Sequence, residues 1–233
     1  MIRAILFDAA GTLLHVQPSV GDVYAREAER FGVCVSADTL NAAFQTVWRE
    51  LRPSVDGGTP FHTSEAIERA WWRELVTRVF DQACEGDAFA DRFDPFFDAL
   101  YLRFEQPEVW RLYDDVMPTL DALAARNIPI AIVSNWDSRL PRLLRAMGIA
   151  DRFEFILTSA EAGVSKPSPQ VFHIAVERLR VNAGEVLHVG DSLDEDVNAA
   201  QHAGLRGVHL KRGSGENEGY DCLKQLLDLL RFI

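Results

Sequence analysis

Lysine is nearly missing from this chain. Of its 24 basic residues, only Lys166, Lys211 and Lys224 are lysines, so the first 165 residues offer no side-chain amine. Base composition of the genome accounts for such a bias, yet it singles out Lys166. Cysteine is scarce too. Cys34, Cys84 and Cys222 are odd in number, far apart and in no Cys-x-x-Cys pair. They read as reduced, mostly buried thiols of a cytoplasmic protein. No apolar run approaches the ~20 residues of a membrane span. Arg3 and Asp8 break the first apolar stretch, which argues against a signal peptide. Net positive charge is lacking as well: the formal charge is -11. Such a surface repels nucleic acid. It would also repel a phosphorylated ligand unless a cation neutralised the site, which points to Mg²⁺.

What is present is ordinary globular material. The 233 residues are 48% hydrophobic and 25% charged, enough for one good core or for one domain plus an insert. Ile2 to Phe7 is a short apolar run ending at Asp8, and it reads as a buried strand. From 17 to 104 the apolar positions recur at helical spacing in four sets: Val23 to Ala28, Leu40 to Leu51, Ile67 to Val79 and Phe89 to Phe104. Ser36 and Thr63 are candidate N-caps. Pro53 to Pro60, with Gly57-Gly58, reads as a flexible break.

Beyond residue 115, strands alternate with helices. Strands are predicted over Ile128 to Val133, Phe153 to Leu157, Val186 to Val189 and Val208 to Leu210. Helices are predicted over Ser138 to Met147, from Pro169 behind the cap Ser168, over Asp194 to Ala203, and over Tyr220 to Phe232. That alternation implies an α/β fold with a parallel sheet. The expected domains are a core of 1–16 and 115–233, interrupted by a four-helix insert over 17–114. Ligands of such sheets bind beyond the carboxyl ends of the strands. Asp8, Ser134 and Asp191 all follow predicted strands.

Four segments stand out there: Phe7-Asp8-Ala9-Ala10-Gly11-Thr12-Leu13; Ser134-Asn135; Lys166-Pro167; and Gly190-Asp191-Ser192-Leu193-Asp194-Glu195-Asp196. An isolated Asp or Ser at a strand end is most often a turn residue or a cap. All four together, in this order, resemble the haloacid dehalogenase (HAD) superfamily. The resemblance implies a Rossmann-like core with an inserted helical cap, and hydrolysis through an aspartyl phosphate. It implies that Asp8 is the nucleophile and that Lys166 places a positive charge beside it. It implies phosphate binding by the loop at Gly11 and Thr12 and by Ser134, Asn135 and Lys166. Asp8, the Ala10 carbonyl, Asp191 and Asp196 would hold Mg²⁺, with Asp196 supporting the metal or Lys166. Asp194 and Glu195 read more simply as an acidic first turn favoured by the helix dipole.

The loop departs from the usual Asp-x-Asp-Gly-Thr at Ala10, where most of these phosphatases carry the acid–base Asp. General acid–base help is worth ~10²–10⁴-fold, so alkyl phosphates should suffer most and acyl or aryl phosphates least. Three branches of the family lack that Asp. Haloacid dehalogenases have a bulky residue there and lack the paired carboxylates seen at Asp191 and Asp196. Phosphonoacetaldehyde hydrolases read Asp-x-Ala-Gly-Thr but need an insert lysine for a Schiff base, and this insert has none. A third branch shares Trp71-Trp72, Ser134 to Leu140, Leu157-Thr158-Ser159, Lys166-Pro167-x-Pro169 and His188 to Asp191.

The expected function is thus a Mg²⁺-dependent phosphatase of a small phosphorylated molecule, possessing no nucleic-acid or membrane partner, as a monomer or homodimer. A binder of phosphorylated ligand without turnover is the alternative. Trp71 and Trp72 read as insert core, with a substrate-facing wall as the other option. His188 reads as a packed, hydrogen-bonded histidine; His15, after the nucleophile loop, has a bland reading too, with a stand-in acid–base role as its minor alternative. Arg26, Arg49, Arg73 and Arg111 read as solvated faces, one of them available to substrate.

Overall fold

A computed structural model of the chain describes residues 1–51, 62–84, 86, 88–212 and 221–233. The predicted break at Pro53 to Pro60 lies outside the described residues. Two compact units are present. One takes in, among the described residues, 1–15, 62–65 and 112–212 with 221–233; the other takes in 16–51 and 66–111.

The first unit is built on a six-stranded parallel sheet. Its strands are β1 (Ala4–Phe7), β4 (Ile130–Ser134), β5 (Ile156–Thr158), β6 (Val186–Gly190), β7 (Arg206–Leu210) and β8 (Cys222–Leu223). They lie in the order β5-β4-β1-β6-β7-β8. The order reverses at β1, whose four residues are all completely buried. A central strand covered on both faces needs a continuous apolar run rather than an alternating one, which is what Ala4–Phe7 supplies. Alternate residues of neighbouring strands (Ala4, Leu6, Ala131, Val133 and Val186) share one core cluster. Val171, Phe172 and Ala175 of α8 (Pro169–Leu179) join them, with Ala199 and Ala200 of α9 (Ala199–His202). Ser168 caps α8 as predicted, accepting from the Gln170 N–H. Val116–Ala124 (α5), Arg139–Ala146 (α6) and the four-residue Ser159–Ala162 (α7) complete this unit.

The second unit holds α1 (Val20–Glu29), α2 (Ala37–Leu51), α3 (Glu65–Ala83, its first residue in the other unit) and α4 (Phe93–Arg103). They correspond to the four predicted helices. Ser36 accepts from the Thr39 N–H at the start of α2, as a cap should. Tyr24, Phe80, Phe89, Phe96 and Phe97 are buried here, and the first four stack or meet other rings edge to face, for example Phe89 on Phe96 at 4.1 Å. At the two chain crossings, β2 (Leu14–Val16) and β3 (Trp110–Leu112) pair in a separate two-stranded sheet.

Two predicted helices are corrected. The stretch from Asp194 to Ala203 is not one α-helix: Leu193–Asn198 forms a π-helical turn and only Ala199–His202 is α-helical. The segment ending at Phe232 is not an α-helix either. Cys222–Leu223 joins the sheet and Leu226–Phe232 is a 3₁₀-helix. The buried positions explain this: Leu223, Leu226 and Leu229 recur every third residue, the 3₁₀ period. No helix among the described residues is long and apolar enough to cross a membrane.

Candidate active site

The switch in strand order at β1 leaves a crevice beyond the strand ends, and the sequence candidates converge there. Register places Phe7 beside Ile132 of β4 and Val189 of β6. The next residues along the three strands bring together Asp8, Ser134 and the Gly190-Asp191 step. The Asp8 N–H donates to the Val189 carbonyl at 2.9 Å, which fixes the start of the loop.

Lys166 is the centre of the cluster. It is 2% exposed, and its Nζ donates to Asp8 Oδ1 at 2.6 Å and to Asp196 Oδ1 at 2.5 Å. Burial works against the ammonium, but Asp196 and Asp8 overcome it and raise its pKa. The Asp8 carboxyl is pushed up by its burial, against the pull of Lys166. Asp196 behaves oppositely. Burial would raise it, but Lys166 and the hydrogen bond from His188 hold it below the usual carboxylate range. His188 Nε2 lies 3.1 Å from Asp196 Oδ1, and the Ser192 N–H donates to Asp196 Oδ2 at 3.0 Å. A carboxylate only accepts, so Nε2 carries the proton. Burial lowers the His188 pKa, which keeps the ring neutral. The expected packed histidine is therefore also a member of the site.

The π-turn aims Asp196 at this cluster. The Asp196 and Val197 N–H groups share the Ser192 carbonyl, which widens the turn. A Cβ on Gly190 would come within 2.1 Å of Asp196 Cγ, so only glycine fits beneath it.

Carboxylate oxygens of Asp8, Asp191 and Asp196 lie within 4.8 Å of one another. Three carboxylates converge on this point, and oxygen donors of this kind suit a hard divalent cation. The residues present thus fit Mg²⁺. Both Asp196 oxygens already accept protein hydrogen bonds, so Asp8 and Asp191 are the better direct ligands and Asp196 a support. Gly11 has φ +80° and lies under Asp191, where a Cβ would be 2.4 Å from Oδ2.

Several candidates sit differently from the sequence expectation. Gly11 and Thr12 were expected to present N–H groups to phosphate. Instead the Gly11 N–H donates to the Leu14 carbonyl at 2.8 Å, and the N–H groups of Thr12, Leu13 and Leu14 all point at the Ala9 carbonyl. The loop amides without a partner among the described residues are those of Ala9 and Ala10. Thr12 still contributes a buried Oγ1 with no hydrogen-bond partner among the described residues. Asn135 clamps the Lys166 main chain: its Nδ2 donates to the Lys166 carbonyl and its Oδ1 accepts from the Lys166 N–H, both at 2.8 Å. Ser134 is buried at the end of β4. Ala10 is exposed.

Sequence reading missed Arg212. Its guanidinium donates to both Asp115 oxygens, at 2.9 and 3.1 Å, and to the Thr12 carbonyl at 2.8 Å. Asp115 also accepts from the Leu226 N–H at 2.6 Å. Arg212 covers the Tyr113 ring at 3.7 Å, and that ring meets His15 at 4.7 Å. The nucleophile loop is thereby tied to the C-terminal segment. Only long-range folding creates this link, and no local signal announces it. In the helical unit Trp71 and Trp72 are half-buried and meet each other and Trp48. Arg73 pairs with Asp94.

This geometry agrees with what the chain is similar to. A family model described as haloacid dehalogenase-like hydrolase matches residues 2–204. Haloacid dehalogenase-like hydrolase domain-containing protein 3 of Danio rerio is 34% identical over 221 residues, covering 94% of this chain and 89% of that protein. Phosphoglycolate phosphatase of Pectobacterium atrosepticum is 28% identical, covering 99% of this chain and 89% of that protein. A solved HAD phosphatase from Thermococcus onnurineus superposes with a TM-score of 0.68 at 26% identity, covering 99% of this chain and 97% of that one. The chain belongs to the haloacid dehalogenase-like hydrolases.

Proposed function

We propose that the chain is a Mg²⁺-dependent phosphohydrolase that acts on a small phosphorylated metabolite through an aspartyl phosphate on Asp8. The observation that carries this reading is the buried Lys166 ammonium, held 2.6 Å from Asp8 and 2.5 Å from Asp196 with Asp191 alongside. Phosphatase relatives support the choice of a phosphate ester. Asp8 attacks phosphorus as the ester bond breaks, and water then attacks the aspartyl phosphate to release phosphate. Lys166 orients the Asp8 carboxylate and offsets charge on the phosphoryl oxygens. The N–H groups of Ala9 and Ala10 and the Ser134 hydroxyl are the donors for those oxygens. Asp8, Asp191 and the Ala10 carbonyl would hold Mg²⁺, which would add further charge neutralisation. The helical unit serves as the cap that selects substrate.

Ala10 offers no proton to the leaving oxygen. Hydrolysis is therefore slow for alkyl esters and faster for acyl or aryl phosphates, whose leaving groups need no acid. A binder that holds phosphate with little turnover is the second reading, and Ala10 is what favours it. The deciding experiment measures phosphate release from alkyl, aryl and acyl phosphates with Mg²⁺ and with EDTA, using Asp8→Asn as the blank. Release that requires Asp8 and Mg²⁺ supports the enzyme; none above the blank overturns it. Ala10→Asp should raise alkyl-phosphate turnover ~10²-fold or more.

A further inference from the structure

We propose that the helical unit carries a second anion site, separate from the Asp8 cluster, that takes a small organic molecule with two or more negative charges. A cavity of about 470 Å³ in that unit is lined by Gln17, Pro18, Val23, Val109, four arginines (Arg26, Arg30, Arg103 and Arg111) and two glutamates (Glu27 and Glu108). Small-molecule sites run from ~300 to 1,000 Å³. The whole chain has 24 basic residues in 233 and a net charge of -11, so four arginines among ten lining residues is a marked local reversal.

The carboxylates leave cationic capacity over. Val23, Arg26, Glu27 and Arg30 follow the i, i+3, i+4, i+7 spacing along α1 and its C-cap, which puts them on one face. Glu27 is buried, and both its oxygens accept from Arg30 Nη1, at 2.7 and 3.0 Å. That pair is self-contained and fixes the wall. Arg103 stands 4.0 Å from Glu108, at the limit of an ion pair. Among the described residues, Arg111 donates only to the carbonyl of its neighbour Trp110. Arg26 has no partner among the described residues. Two guanidinium groups with unused donors therefore line one cavity, and bidentate anions are what such planar forks recognise. A phosphate ester and a di- or tricarboxylate share this chemistry.

The inference does not rest on the proposed hydrolase activity. Its test is calorimetric titration with inorganic pyrophosphate and, separately, with citrate, in EDTA so that no divalent cation assists the Asp8 cluster. We expect saturable binding of at least one probe that weakens with added NaCl. Asp8→Asn should bind like the wild type. Arg26→Gln and Arg111→Gln should each weaken binding at least ~10-fold, the scale of one charged hydrogen bond. Arg49→Gln, at an exposed position of α2, should change nothing. Which probe binds tells a phosphate source from a carboxylate one. The proposal is overturned if neither probe saturates, if Asp8→Asn abolishes binding that both arginine variants keep, or if Arg49→Gln weakens it equally. Unchanged melting temperatures in the glutamine variants exclude loss of fold as the cause.

Discussion

Lys166→Met tests the electrostatic reading of the site most directly. The methionine fills the buried space of the lysine stem but brings no charge. Asp8 and Asp196, both buried, lose the ammonium that lies 2.6 and 2.5 Å from their oxygens. Removing one partner of a buried ion pair costs about 3–5 kcal/mol, since the remaining charge is left unmatched. In a domain of this size each kcal/mol shifts the melting temperature by roughly 2–4 °C. The expected drop in EDTA is therefore about 6–20 °C. Excess MgCl₂ should recover part of it in the variant, because a divalent cation held by Asp8 and Asp191 would offset the negative charge that the ammonium no longer matches. Thermal unfolding with and without Mg²⁺ reads both effects, and phosphate release should vanish in either condition. A variant that melts with the wild type in EDTA would refute the reasoning, because Asp8 and Asp196 would then not depend on Lys166 for their charge.

Other residues give sharper single outcomes. Gly11→Ala should abolish Mg²⁺-dependent activity, since its Cβ falls 2.4 Å from Asp191 Oδ2 and its φ of +80° is strained for alanine; full activity would show that the loop can move aside. Saturating Mg²⁺ at ~100 times its dissociation constant should stabilise the wild type by about 2.7 kcal/mol, and calorimetry on Asp191→Asn should show that increment lost. Arg212→Met should free the Thr12 carbonyl and weaken Mg²⁺ binding more than it lowers stability in EDTA, with Arg212→Lys recovering part of the affinity; an unchanged Mg²⁺ titration would leave Arg212 a surface staple only.

The parts of the fold legible in the sequence are those where one local pattern had one meaning. Ala4–Phe7 is uniformly apolar and stops at Asp8, so both its burial and its end could be read. The four helices of the second unit show the same clarity, because each repeats apolar positions over at least two turns. The crossing strands Leu14–Val16 and Trp110–Leu112 were not legible. Three residues carry no period, and each strand exists only because a partner nearly a hundred positions away pairs with it. The C-terminal leucines misled for a related reason. Leu226, Leu227, Leu229 and Leu230 satisfy a helical pattern as well as a 3₁₀ one. Burial of Leu226 and Leu229 with exposure of Leu227 decides between them only after packing.

The site divides along the same line. Asp8, Ser134 and Asp191 could be named because each joins a suitable side-chain type to a strand-end position, and Lys166, in the turn before α8, because lysine is so rare in the chain. What could not be named is how they are held. Asn135 looked like a phosphate donor, yet its amide is matched atom for atom to the Lys166 main chain. His188 looked like core, and it is core, but its single buried proton is what positions Asp196. A helix with α periodicity at Asp196 would have turned that carboxylate elsewhere; the π-turn is invisible to any pattern of apolar residues. Gly190 was the available signal, for a strand residue without a side chain reports that another group occupies its space. The chemistry was thus written in residue types and the positioning in close approaches, and Ala10 is the one place where a missing residue type, not a distance, sets the expected rate.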